Sequence, residues 1–279
     1  MNETLKIGEI NILTIDRDTT PGLFLRALDE SDILLPNQYV TDKMHIGDTI
    51  DVFVYTDSED RPVASTVMPK AMVNQLCFVE VVDTTPIGAF VNWGLPKDLF
   101  VPRVMQKRPF VVGEKRIVRV ILDEQTNRLV GTEKISAALI EAPREFYPNT
   151  PVNFMIIAKT PMGYKAIVDD RYEGMIYANE VFETIRSGQI INGFVKLRRD
   201  DGKLDLSLQK VGKGKFDDAS EKILTLLKDN GGMLPYNYKS DAELIQKKFG
   251  LSKKNFKAAL TKLSESKKIT IKENGIYGI

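Results

Sequence analysis

The chain has 279 residues, of which 43% are hydrophobic and 28% charged, and its net charge is +1; this composition is typical of a soluble globular protein. No apolar run is long enough to span a bilayer and the first residues do not resemble a secretory signal, so we expect a cytoplasmic protein with no membrane partner. One cysteine, Cys77, and one histidine, His45, exclude an internal disulfide, a structural zinc site and the common histidine-based catalytic designs, so we expect no enzyme, metal, cofactor or small-molecule substrate.

The strongest internal signal is a repeat that occurs three times. Windows of equal length that begin at Gly47, Gly113 and Gly188 align without a gap. The spacing from the first copy to the second is the same at every matching position, and the spacing from the second to the third is slightly longer but equally constant. One column of the alignment holds a valine in every copy: Val54, Val120 and Val195.

The match continues toward the N-terminus of each window. Another glycine precedes each window at one fixed distance, and a Thr-Pro pair stands just ahead of each of these glycines: Gly22, Gly88 and Gly163. A further matching position lies between the two glycines of each copy and holds Pro36, Pro102 or Tyr177. Chance does not hold such a register over so long a stretch, so the three segments are copies of one module.

Each copy reads as short strands separated by turn residues. In the second copy the predicted strands are 72–82, 88–93, 99–102, 116–123 and 129–132. The repeated glycines fall where a tight turn or a strongly coiled strand requires an unhindered backbone. Five short strands that close on themselves form a small barrel of the OB type. The sequence therefore predicts a mostly β protein with three tandem barrels, at residues 1–68, 69–140 and 146–210.

The second copy resembles the S-one type RNA-binding domain of ribosomal proteins. The resemblance is carried by Gly88–Gly94, which reads GAFVNWG, by Asp98–Pro102, which reads DLFVP, and by the valines around Val120. The third copy keeps Glu173–Tyr177, which reads EGMIY, and an ending typical of that family, Leu204–Leu208. The first copy diverges most.

Residues 215–279 have a helical apolar period and form the fourth predicted domain. A basic linker at 212–215 precedes a helix over 217–230, a second helix that begins with a capping box at Ser240 and a third that begins at Ser252. A short hairpin with an Asn-Gly turn follows. Three helices and a β-wing predict a winged helix, the wing-bearing variant of helix-turn-helix.

Taken together, the chain resembles the bacterial conserved virulence factor B family. The resemblance implies three S-one type barrels followed by a winged helix, and an RNA-binding protein that regulates gene expression after transcription, including that of virulence factors. Single-stranded RNA is the implied partner, with the ribosome or RNA-processing proteins as further candidates.

In the S-one family, aromatic rings on the second and third strands stack bases. Carried over by position, the resemblance implies base-stacking roles for Phe24 in the first copy, Phe90 and Phe100 in the second and Tyr177 in the third, where Lys165 stands at the place of the strand-two aromatic. No copy keeps the complete set, so each barrel alone should bind weakly. An alternative reading makes Phe90 and Phe100 ordinary core rings.

Candidate cations for the RNA backbone accompany the rings. In the barrels they are Arg103, Lys107, Arg108, Arg119, Lys196, Arg198 and Arg199. Residues 211–279 hold fourteen lysines against eight acidic residues, a net charge of +6, which leaves about −5 for residues 1–210. The lysines expected on the winged helix's basic face are Lys253, Lys254, Lys257, Lys262, Lys267, Lys268 and Lys272. Such a surface attracts phosphate. A lysine-rich helix face that contacts only solvent has the same sequence pattern.

Three other functions are compatible with parts of the sequence. A nuclease would use carboxylate pairs such as Asp169-Asp170, Asp200-Asp201 and Asp217-Asp218 to hold Mg²⁺, but these pairs lie at turns or at a helix start. A scaffold associated with the ribosome or polymerase would use the acidic barrels and the winged helix as protein-docking modules. A DNA-binding regulator would read bases with the third helix, which offers only Asn255 for that purpose.

Overall fold

Fifteen strands between residues 10 and 207, in the part of the chain that the structure describes, form three closed barrels. The structure is a computed structural model and describes residues 5–27, 30–181, 184–210 and 213–279, with the backbone alone for 213–218. Two compact units divide the chain, Met1–Leu139 and Ile140–Ile279. The first contains two barrels, and the second contains the third barrel and the C-terminal domain.

The three barrels share one strand order. In each, the first strand pairs with the second and the fourth, and the third pairs in parallel with the fifth. The strands of the first barrel are β1 Ile10–Thr19, β2 Gly22–Arg26, β3 Asp32–Pro36, β4 Thr49–Thr56 and β5 Pro62–Ser65. Those of the second are β6 Leu76–Thr85, β7 Gly88–Asn92, β8 Leu99–Pro102, β9 Lys115–Asp123 and β10 Arg128–Thr132. Those of the third are β11 Pro151–Thr160, β12 Gly163–Val168, β13 Tyr172–Tyr177, β14 Ile190–Arg198 and β15 Leu204–Ser207.

The repeated residues occupy equivalent positions in the three barrels. The valines of the repeated column, Val54, Val120 and Val195, are fully buried. The glycine that opens the second strand faces the last residue of the third strand in every copy. At Gly22 and Gly163, where φ is +147° and +150°, a Cβ atom would lie about 2 Å from a carbonyl oxygen of the facing strand. Only glycine permits this approach, which explains the repeat's most regular feature.

A β-bulge also recurs in each barrel. The first strand carries one extra residue where it pairs with the second, at Asp16, Val82 and Ile157. Such a bulge increases the local twist and bends the strand, which helps a five-stranded sheet to close. The bulges keep the same spacing between copies as the repeated glycines, so the repeat is one of backbone geometry as well as of sequence.

The first strand of the second barrel begins four residues later than predicted. Residues 72–75 form a turn, with Asn74 at φ +68° and the Gln75 amide donating to the Met72 carbonyl at 3.0 Å.

The start of the first helix also differs from the prediction. The predicted linker at 212–215 is wrong over 213–215, because the first helix begins at Lys213. Gly212 lies outside the described residues.

The first two barrels share one hydrophobic cluster. Phe53 on β4 is fully buried and meets Trp93 of the second barrel edge-on, with ring centroids 5.8 Å apart. The Trp93 indole donates a hydrogen bond to the Lys97 carbonyl at 2.7 Å. Tyr55 and Val63 of the first barrel belong to the same cluster. The repeat predicts one barrel per copy, and the structure adds a core contact between the first two barrels.

The C-terminal domain consists of three helices and a three-stranded sheet, as a winged helix requires. Its elements are α1 Lys213–Asp229, β16 Met233–Leu234, α2 Ala242–Phe249, α3 Lys253–Glu265, β17 Ile269–Lys272 and β18 Gly275–Gly278. The core includes Phe249 and Phe256, both fully buried. Strand β16, which pairs with β18, was not predicted. The order of elements confirms the predicted fold class.

The helix caps hold one correction. Asp241, not Ser240, caps α2, because its carboxylate accepts from the Glu243 amide at 2.8 Å. Gly250 ends α2 in the left-handed conformation, as predicted. Ser252 caps α3 by accepting from the Asn255 amide at 3.2 Å, also as predicted.

Candidate nucleic-acid interface

Each barrel presents a pair of facing side chains on its second and third strands. The paired positions are Phe24 with Leu34, Phe90 with Phe100 and Lys165 with Met175. All six residues are half-buried, so none is sealed inside a barrel core. We call these three pairs the platform positions. Of the predicted rings, the register therefore pairs Phe90 with Phe100, whereas Tyr177 lies opposite Gly163.

The second barrel has the fullest platform. The rings of Phe90 and Phe100 pack against each other, with centroids 5.1 Å apart and planes tilted by 46°. Such a tilted pair stabilises its own geometry and leaves ring surface exposed to solvent. Pro102 ends the same strand and is half-buried beside Gly88, its partner in the register. The alternative of ordinary core rings does not fit this partial exposure.

The platform of the first barrel carries a guanidinium group that the sequence analysis did not identify. Arg17 lies over the Phe24 ring at 4.4 Å from the centroid, a cation–π contact. Its hydrogen bonds to Asp32 at 2.7 Å and to Asp16 at 2.9 Å raise the pKa of Arg17. Bases stack on guanidinium planes as well as on rings. Since Arg17 covers the Phe24 ring, a base at this platform would stack on the Arg17 guanidinium. The repeat register places Asp83 at the equivalent position of the second barrel.

The platform of the third barrel is polar. The Lys165 ammonium contacts the Glu173 carboxylate at 2.9 Å, and Lys203 contacts the same carboxylate at 3.2 Å. Tyr177, at the end of the strand, is half-buried and donates a long hydrogen bond of 3.4 Å to Asp205. This barrel therefore offers one half-buried tyrosine and paired charges where the second barrel offers two phenylalanine rings.

The predicted cations of the second barrel fall into two groups. Arg103, Lys107 and Arg108 are exposed, with Arg108 3.3 Å from Glu114. Arg119 is a correction: only 2% of its surface is exposed, and its guanidinium donates to the Asn74 carbonyl. The turn that precedes β6 covers this part of β9, so Arg119 stabilises the barrel and does not reach a ligand at the surface.

The predicted cations of the third barrel are tied to neighbouring groups. Lys196 pairs with Glu180, and Arg199 pairs with Asp201 at 3.1 Å. Arg198 donates to the Ala142 carbonyl at 2.7 Å and is largely covered. Binding of phosphate at this barrel would have to compete with these contacts.

A cavity of about 500 Å³ lies beside the platform of the second barrel. Phe90 and Phe100 line it, together with Ile87, Lys97 and Asp98 of the same barrel. The turn between β4 and β5 of the first barrel contributes Ser58 and Asp60. We call this space the seam cavity. Sequence reasoning missed it because it is formed by two modules that the repeat presents as separate.

The winged helix exposes most of its predicted lysines. Lys253 is half-buried, and the other six lysines of the basic face are exposed. Lys272 lies over the Tyr277 ring, 5.0 Å from its centroid. Among residues 213–279 as described, no ion pair involves Lys254, Lys257 or Lys268. These positive charges are available to an anionic partner.

The carboxylate pairs do not form a metal site in the described part of the chain. Asp169 and Asp170 both occupy left-handed turn positions, and Asp201 is paired with Arg199. No group of three or more His, Cys, Asp or Glu side chains converges among the residues whose side chains are described. The side chains of Asp217 and Asp218 lie outside that set.

Comparison with known proteins agrees with this architecture. A family model described as an S1 domain matches residues 7–67, and one described as a CvfB-like winged helix domain matches residues 221–277. The S1 match falls on the first barrel, which the sequence analysis regarded as the most divergent copy. YitL of Bacillus subtilis, an uncharacterised protein, is 30% identical over 98% of this chain and 94% of its own length. Conserved virulence factor B of Staphylococcus saprophyticus is 28% identical over 84% of this chain and 81% of its own.

The chain belongs to the conserved virulence factor B family. A member of the conserved virulence factor B family from Staphylococcus aureus strain N315 is 24% identical over 84% of this chain and 81% of its own length. A crystal structure from Streptococcus pneumoniae, described as a multidomain protein with nucleic acid binding domains, aligns over 98% of both chains with 24% identity and a TM-score of 0.42. In this family member, none of the described helices has the length and apolar character needed to cross a bilayer.

Proposed function

We propose that the protein binds single-stranded RNA in the cytoplasm and regulates gene expression after transcription, without catalysing a reaction. The observation that carries this proposal is the pair Phe90 and Phe100, two half-buried rings in contact on the surface of a barrel. Aromatic faces bind unpaired bases whatever their sequence, because every base has a π-face. The S1 and winged-helix matches support a nucleic-acid partner.

The modules contribute unequally to this activity. The second barrel supplies two rings, the first supplies Arg17 on Phe24, and the winged helix supplies lysines that neutralise phosphates. Each contact alone is weak, but modules on one chain bind the same strand at a high effective concentration. The affinity should therefore depend on RNA length and fall with salt.

The test is the double variant Phe90→Ala with Phe100→Ala, measured by fluorescence anisotropy with a single-stranded RNA. Stacking contributes about 1–3 kcal/mol per base, so binding should weaken at least several-fold. Phe78→Ala is the matched control, because Phe78 is a phenylalanine of the same barrel that is 38% exposed and stands on β6, away from the platform. Equal affinity of the double variant and the control, with both folded by circular dichroism, contradicts the proposal.

Catalysis is tested separately. Labelled RNA incubated with the protein and Mg²⁺ should remain full-length, because the carboxylate pairs lie at turns and the described ones do not converge. Shortened RNA in this assay would show that the protein hydrolyses RNA and would contradict the proposal of binding without catalysis.

A protein-docking scaffold is the second candidate, and one observation favours it. The cations of the third barrel, Lys165, Lys196 and Arg199, are already paired with carboxylates, so this barrel resembles a mixed-charge protein interface more than an RNA surface. Lack of RNA binding by the full chain at moderate salt would favour this function.

A further inference from the structure

The seam cavity differs from a flat stacking surface because residues of two barrels line it. Phe90 and Phe100 form one wall, and the β4–β5 turn of the first barrel, with Ser58 and Asp60, forms another. Its volume of about 500 Å³ lies in the range of roughly 300–1,000 Å³ that ligand pockets occupy. A planar group that stacks on the rings would therefore lie beside side chains from both barrels.

Four hydrogen bonds hold the turn between β4 and β5 in place. The Arg128 guanidinium makes two hydrogen bonds to the Asp60 carboxylate across the two barrels, which lowers the pKa of Asp60. The Lys97 ammonium donates to the carbonyls of Thr56 and Asp57 at 2.8 and 2.7 Å. Together with the cluster around Phe53, these contacts make the cavity a preformed space.

Of the two carboxylates that line this cavity, Asp98 is the one without a hydrogen bond in the described part of the chain. It is half-buried, and burial raises the pKa of its carboxyl group. Within the described part of the chain, its carboxylate has neither an ion-pair partner nor a hydrogen bond, whereas Asp60 is occupied by Arg128. A partly desolvated carboxylate is stabilised by donors, so the cavity favours a ligand with N–H groups on its edge.

We infer that the seam cavity binds one unpaired guanine base, which stacks on Phe90 and Phe100 and donates its N1–H and 2-amino hydrogens to the Asp98 carboxylate. Guanine presents two adjacent donors on its Watson–Crick edge, and a carboxylate accepts both at once. Adenine and cytosine present one amino group next to an acceptor nitrogen, which a carboxylate repels. The inference rests on the proposed function and adds a base preference to it.

The experiment compares three octanucleotides of uridine that differ at one central position: guanosine, inosine or adenosine. Inosine lacks only the 2-amino group. Loss of one hydrogen bond to a charged group should lower the wild-type affinity by at least about tenfold from guanosine to inosine. In Asp98→Asn the difference between guanosine and inosine should shrink to less than twofold. Glu80→Gln, which removes an exposed carboxylate of the same barrel outside the cavity, should keep the wild-type difference.

The outcomes separate the two proposals. RNA binding with equal affinity for guanosine and inosine, in the oligonucleotides and in the monophosphates alike, overturns the guanine site and leaves RNA binding standing. Absence of binding to all three oligonucleotides overturns both. Guanosine monophosphate serves as a separate ligand: a preference for it over inosine monophosphate that Asp98→Asn abolishes, without any preference among the oligonucleotides, would assign the guanine site to a free nucleotide.

Discussion

The contact between the first two barrels allows a quantitative prediction about stability. Phe53 is fully buried and packs edge-on against Trp93. Replacing a buried phenylalanine by alanine costs about 3–5 kcal/mol, and the lost aromatic pair lies within that range. We take about 4 kcal/mol for Phe53→Ala. With a denaturant dependence of about 2 kcal/mol per molar urea, the midpoint of unfolding should fall by about 2 M.

The assay is tryptophan fluorescence, because Trp93 is the only tryptophan of the chain and is 2% exposed within the shared cluster. Its fluorescence therefore reports on the contact itself during urea unfolding. Phe154→Ala is the matched control, since Phe154 is equally buried but packs in the core of the third barrel. It should leave the tryptophan transition in place.

Hydrogen exchange provides a second measurement on the Phe53→Ala variant. If Phe53 links the two barrels, Phe53→Ala should speed exchange in β4 of the first barrel and in β6 and β9 of the second. Faster exchange confined to the first barrel, or a tryptophan transition that does not move, would refute the idea of one shared core.

Two further predictions concern other parts of the chain. Gly163→Ala places a methyl group about 2 Å from a carbonyl oxygen at φ +150°, so thermal unfolding should show that the free energy of unfolding falls by at least about 2 kcal/mol. Unchanged stability would contradict the conclusion that only glycine fits this position. Lys254→Gln with Lys257→Gln removes two exposed charges from α3, so the slope of log affinity for RNA against log salt should fall by about 1–2. The control, Lys247→Gln with Lys248→Gln on α2, should keep the slope, and equal effects of the two pairs would contradict a specific basic face.

The sequence repeat predicted the barrels, and the family resemblance supplied the ring positions within them. Side chains alternate across a strand, and a shared register places equivalent residues on equivalent faces. Once three copies were aligned, Phe90 and Phe100 had to lie on neighbouring strands of one barrel, and the structure pairs them directly. The helix stops were similarly local, as at Gly250.

The features that the sequence did not predict depend on contacts between distant segments. Arg17 reaches Phe24 because a bulge at Asp16 resets its face, and a bulge has no clear signature in one sequence. Arg119 is covered by the turn around Asn74, which local alternation does not show. The seam cavity requires knowledge of how two modules dock. In each case the strands of a module were predictable, whereas the bulges and the contacts with distant segments were not.

The shared cluster also determines where the chain can be divided. A cut between the first two barrels would expose Phe53 and Tyr55 on one fragment and Trp93 on the other, and would release the Lys97 ammonium from its two carbonyl acceptors. Each fragment would then carry a fresh apolar patch of the kind that promotes self-association. Fragment studies of this chain therefore need the first two barrels kept together, ending near residue 139.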